Sequence, residues 1–156
     1  MNPANEIILA LDNGPRIIIP LVRDVPAGVV KRRPKPGKWS AHEHACHLAA
    51  VQPMIMRRLD LMLREQHPTI APYYPDKRDK DGALLEVVLD EAMDRFVRER
   101  ADMVERLRRL TDDDWKRGAD HGEYSHYSVA IMFRHLALHD MLHAYRIEEA
   151  LLKKDW

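Results

Sequence analysis

Nine histidines stand among the 156 residues, and His135, His139 and His143 follow one another at four-residue intervals in the segment RHLALHDMLHAYRI. On an α-helix, residues at i and i+4 share a face. At about 100° per residue, Met132, Leu136, His139, His143 and Ile147 form a narrow apolar stripe, whereas Arg134 and Asp140 point away and His135 sits near the stripe's edge. Two imidazoles one turn apart on a buried stripe carry ring nitrogens that need partners. One divalent ion satisfies both, and the interior of a helical bundle is a recurrent place for it. Hydrogen-bonded packing accounts for the same pair on spacing alone.

A further ligand has to come from another helix. His47 is the best placed, because it shares a helical face with Val51, Met54 and Arg58, with Glu43 one turn earlier; His44 lies toward the edge of that face and His42 away from it. Three neutral imidazoles leave coordination positions open on zinc, nickel or iron, as in a catalytic site. Cys46 is the only cysteine, which excludes an internal disulfide and a thiolate cluster. It points about 100° from His47 and reads as packing, as do Met54, Met56 and Met62. Glu43 and His135 are the candidates for catalytic proton handling beside the metal. His121, Glu123 and His126 are loop residues that serve either the same end or plain solvation. The segment HDMLH departs from the zinc-protease pattern HExxH by an aspartate one methylene shorter, which argues against that enzyme class.

Those residues need helices to hold them. Apolar positions recur every three to four residues through four segments: near 5 to 25, 40 to 66, 82 to 110 and 128 to 153. The first is interrupted by Asn13, Gly14 and Pro15, with Pro20 following, and is expected to break or bend. The second starts at Ser40, whose spacing to Glu43 in SAHE is a capping box. The third reads as helical throughout from Gly82. Residues 26 to 38 and 67 to 81 are proline-rich loops, and 111 to 127 is a polar loop with a short turn at DDDW.

Two of these stretches resemble a known family. The segment RPKPGKWSAHEHACHLA, residues 33 to 49, and the closing helix HLALHDMLHAYRI, residues 135 to 147, are similar to the proline-glycine loop, Trp-Ser helix start and final His-x-x-x-His helix of the DinB/YfiT-like superfamily. Residues 96 to 115 look like its third helix and the acidic turn after it. The resemblance implies an all-α fold, an up-down-down-up four-helix bundle spanning residues 1 to 156 as one domain. It also implies frequent homodimerisation and a divalent metal held by His47, His139 and His143. The superfamily includes bacillithiol- and mycothiol-dependent enzymes, so a low-molecular-weight thiol is an implied cofactor. Arg146 departs from the glutamine that many members carry three residues after the last histidine.

Composition narrows the function classes. Lysine plus arginine and aspartate plus glutamate number 25 each, which leaves no general field for nucleic acid or an anionic membrane. No apolar run is long enough for a membrane span, and the first residues show no basic segment followed by an apolar one; the expected location is the cytoplasm. Two readings follow. One is a metal-dependent enzyme, a thiol S-transferase or a hydrolase acting on a small-molecule substrate. The other is a non-enzymatic, metal-stabilised binding or stress-response module.

Overall fold

The computed structural model describes residues 3–74 and 82–153. Four long helices dominate it: α1 (Pro3–Val22), α3 (Ala41–Arg64), α4 (Leu89–Leu107) and α6 (Val129–Leu152). Two short helices, α2 (Ala27–Val30) and α5 (Asp112–Lys116), lie in the connections.

Side-chain pairs fix the direction of each helix. Arg100 of α4 donates to the Leu11 carbonyl of α1 while Arg23 pairs with Asp94, so α1 and α4 run antiparallel. Gln52 meets Phe96 and Arg100, and Asp60 meets Arg106, so α3 and α4 run parallel. His44 and His47 of α3 meet His143 and His139 of α6 in reversed order, so these two are antiparallel. The bundle is therefore up-down-down-up, and the long connections are consequences of its parallel α3–α4 pair.

The first helix is continuous, contrary to the break expected at Asn13 to Pro15. Proline at 15 removes the N–H that would bond the Leu11 carbonyl one turn back. That carbonyl instead accepts from Arg100 Nη1 at 3.0 Å. Gly14 lets this arginine and Asp140 approach, since a Cβ there would lie 2.7 Å from Asp140 Oδ2. A tertiary donor has thus replaced a local one.

The third segment also differs from its expectation. Residues Ala83–Glu86 form a 3₁₀ turn, Val87 and Val88 are extended, and α4 begins only at Leu89. Two β-branched residues favour the extended form. Outside groups also hold the turn in place: His42 Nε2 meets the Leu84 carbonyl and Lys31 Nζ donates to that of Leu85. The second helix does start with the Ser40–Glu43 capping box.

At one end of the bundle the connections after α3 and after α5 join in a two-residue parallel pairing of β1 (Thr69–Ile70) with β2 (Asp120–His121). Arg117 ties the same region to the end of α3 by donating to the Met62 and Glu65 carbonyls. The expected loop 67 to 81 is described as far as Tyr74; residues 75–81 lie outside the described residues.

The interior is apolar at both ends and polar between them. One cluster gathers around Leu11, Leu59, Met103 and Phe133, the other around Ile18, Leu48, Phe96 and Ile147. Gly14, Gln52, Arg100 and Asp140 fall between the two sets on their helices. Asp140 is fully buried, not turned away as the narrow stripe implied. The reason is that α6 packs against both α1 and α3, so it buries a wide face running through Phe133, Ala137, Asp140 and Ala144 as well as His143 and Ile147.

Candidate metal centre

The polar layer has a second part on the α3–α6 side. His47 and His143 are buried, and His139 is half-buried at the edge of the wide α6 face. His47 Nε2 and His143 Nε2 each lie 3.1 Å from His139 Nε2, and one nitrogen from each ring falls within 4.8 Å of the others. Two nitrogens bound to one ion at about 2.0–2.1 Å are about 2.9 Å apart at a right angle and about 3.4 Å apart at the tetrahedral angle. The two 3.1 Å separations fit between those limits.

Hydrogen bonding alone leaves this cluster unsatisfied. A neutral imidazole has one N–H and one lone pair, and His139 Nε2 faces two like atoms at once. Among the described residues, the buried His139 Nδ1 has no hydrogen-bond partner. With all three Nε2 lone pairs directed at an ion, each Nδ1 would keep its proton, that of His139 still without an acceptor among the described residues. His143 Nδ1 then donates to His44 Nδ1 at 2.8 Å, the kind of outer contact that orients a ligating imidazole. The donor set and its geometry fit a divalent transition ion.

The surroundings keep these rings neutral. Burial lowers the pKa of His47 to about 3 and that of His143 to about 2, with the neighbouring imidazoles adding to the effect. His44 is lowered to about 4, again chiefly by burial. His139 is lowered by burial, against the attraction of Asp140. Neutral imidazole is the form that ligates a metal. Trp39, immediately before the α3 cap, covers the cluster, with its ring 4.9 Å from His47, 5.4 Å from His44 and 6.1 Å from His143.

His139 opens onto a cleft of about 550 Å³ between α3, α6 and the paired connections. Its walls include Val51, Ile55, Leu136, Tyr73, Tyr124, Tyr127, Arg58 and Glu123. His135 lines this cleft edge-on to Tyr124, and burial lowers its pKa. His121 and Glu123 also line it, whereas His126 is exposed.

Glu43 is placed differently. Its buried carboxylate accepts from the Arg33 guanidinium and from the Ser40 backbone and hydroxyl. Burial alone would raise its pKa, but these bonds more than reverse that and hold the carboxyl below its ordinary value. It anchors the start of the helix that carries His44 and His47. Cys46 is buried, and burial pushes its thiol up to about 12. Met62 is core, with Met54 and Met56 packed against it.

The sequence pattern missed several participants. His42, assigned to the outward side, is buried with Nε2 at the Leu84 carbonyl. His44 touches His143, and its three-residue spacing from His47, which puts both on one helical side, was the available signal. Trp39 and the cleft tyrosines lie on connections, where no periodicity gives direction.

A four-helix bundle with an interior three-histidine cluster defines a class of metal-site bundle proteins. The family model described as the DinB superfamily matches residues 10–147, and the chain belongs to that superfamily. Among solved structures it is similar to YfiT from Bacillus subtilis, described as a probable metal-dependent hydrolase with an unusual four-helix bundle topology. The TM-score is 0.85 at 20% identity, over 94% of this chain and 85% of that one. Comparison with curated proteins finds no match.

Proposed function

We propose that this protein is a divalent-metal-dependent enzyme acting on a small molecule, with His47, His139 and His143 as ligands. The observation that carries the reading is the convergence of three neutral imidazoles beside an open cleft. A sealed structural site would have no need of the cleft, which is why the enzyme is preferred to a metal-stabilised binding module. The description of YfiT as a probable metal-dependent hydrolase agrees with it.

His47, His139 and His143 would hold the zinc, nickel or iron ion, which when bound would supply an activated water or thiol near neutral pH for hydrolysis or thiol transfer. The chain's own residues do the rest. The three imidazoles bind, His44 orients His143, and Trp39 excludes water from the buried side. His135, half-buried on the cleft wall and neutral at pH 7, accepts or returns a proton. Glu43 positions α3 through its cap.

The reading extends to a cytoplasmic homodimer; light scattering of the pure protein tests the dimer. No helix of the described residues is long and apolar enough to cross a membrane.

Elemental analysis of protein purified without added metal is the first test. Near-stoichiometric transition metal in the native chain and its loss in His47→Ala are expected; equal metal content in the two would refute the site. Activity is then sought with ester and amide panels, and with bacillithiol, mycothiol or glutathione plus electrophiles. A metal-loaded protein inert to all of them favours the binding module.

A further inference from the structure

Arg58 is the one lysine or arginine among the described residues that line the cleft. Eleven residues beyond His47 on α3, it stands about 16 Å further along the helix. Because α6 runs the opposite way, His139 and Arg58 lie toward opposite ends of the cleft. The guanidinium donates to the Ala71 carbonyl at 2.6 Å, and Tyr127 lines the cleft with it. Neither neighbour is charged. Glu123, the carboxylate on the same wall, accepts from Tyr74 instead.

A half-buried cation beside aromatic and apolar side chains gives up hydration, and the bond to the Ala71 carbonyl holds one arm of its planar fork in place. Such a fork matches a carboxylate, which accepts two parallel N–H bonds from it. The walls beside it are aromatic: the Tyr124 and Tyr127 rings lie within 10° of parallel with centroids 6.0 Å apart, and His121 packs against both. Among the described residues a single cation shares the cleft with Glu123, a balance that suits one negative charge and opposes two.

We infer that the cleft binds a small monoanionic carboxylate with a planar body, its carboxylate on Arg58, its body against the tyrosines and its reacting end toward His139. The anion subsite stands on Arg58 and the cleft alone. Only the position of the reacting end rests on the metal-dependent reading above.

The test is calorimetric titration of benzoate and phenylacetate, and of benzamide and phenylacetamide, into the full chain, both metal-loaded and chelator-stripped. The same titrations are made on Arg58→Gln, which removes the charge but keeps a polar amide, and on Arg58→Lys, which keeps the charge; metal content and Tm are measured for each. The acids are expected to bind about tenfold or more tightly than the amides in both metal states. Arg58→Gln should abolish the preference at unchanged metal content, and Arg58→Lys should retain part of it. Equal binding of acid and amide, no binding of either, or a preference that survives Arg58→Gln would overturn the subsite. A preference that vanishes on metal removal also overturns it, since the metal was then holding the acid. A native chain that holds no metal yet shows an Arg58-dependent preference keeps the subsite and sinks the metal-dependent reading instead.

Discussion

Neighbouring residues on α6 point into two polar clusters at the same level of the bundle. Asp140 enters one that is complete: Arg100 donates to both of its oxygens, to Gln52 and to the Leu11 carbonyl, and Gln52 returns a bond to the Phe96 carbonyl. His139 enters one that is not: ring nitrogens face one another at 3.1 Å, and its Nδ1 is buried without a partner among the described residues. Both clusters carry the cost of burying polar groups. The first is compensated by the chain alone and so fixes how the helices pack. The second leaves three imidazole nitrogens facing one another, an arrangement that an ion held through Nε2 would satisfy.

The largest effect should come from breaking the complete cluster. Asp140→Ala leaves the Arg100 charge buried and unpaired, and a loss of about 3–5 kcal/mol in denaturant unfolding is expected. Arg100→Met combined with Asp140→Leu should recover only part of it, because the apolar pair avoids the desolvation cost but leaves the Leu11 carbonyl and Gln52 without the donor that Arg100 supplied. A double variant as unstable as Asp140→Ala would show that the ion pair does more than fill space.

Breaking the incomplete cluster should behave in the opposite sense. His143→Ala is expected to cost the metal-free protein much less than Asp140→Ala. It should, however, remove the stabilisation that added metal gives the native chain. At a free ion concentration 100 times Kd that stabilisation is about 2.7 kcal/mol, readable as a shift in Tm with and without metal. An unchanged metal-induced shift in the variant would sink the distinction between the clusters.

Gly14 sharpens the same comparison. Alanine favours a helix interior by about 1 kcal/mol over glycine, yet a Cβ here meets Asp140 Oδ2 at 2.7 Å and Arg100 Nη1 at 3.0 Å. Gly14→Ala should therefore destabilise, by about 1–3 kcal/mol, with metal content intact. Stabilisation would mean that the pair can move aside.

The smallest effect concerns the anchor of α3. The Glu43 carboxyl lies below its ordinary value in the folded chain, so the unfolded chain binds its proton first as pH falls. Its contribution is whole above the ordinary carboxylate range near pH 4.5 and is lost as pH drops through the folded value. Glu43→Gln should flatten that part of the acid-unfolding curve while leaving the rise in stability through pH 6 to 7, which the neutral buried histidines produce, as it was. An unaltered acid slope would place the Arg33–Glu43 pair outside the stability balance.

Much of this protein was legible in its residues. Helical spacing found the four long elements, the SAHE pattern found the start of α3, and i, i+4 spacing singled out His139 and His143 among nine histidines. These succeed because helical geometry and capping are local and act over four residues or fewer. The resemblance of residues 33–49 and 135–147 to the DinB/YfiT-like superfamily supplied the order of the bundle, which contacts between helices then bore out.

Tertiary structure decided what depends on partners distant in sequence. Pro15 reads locally as a break, but Arg100 from 85 positions away takes the carbonyl that proline leaves free. Asp140 reads as solvent-facing until α1 and α4 close over it. Arg58, Tyr73 and Tyr127 share a cleft only because β1 and β2 bring two connections together. Spacing along a helix determines which residues face the same way; only the packing of other helices against it determines whether that direction is core, site or solvent.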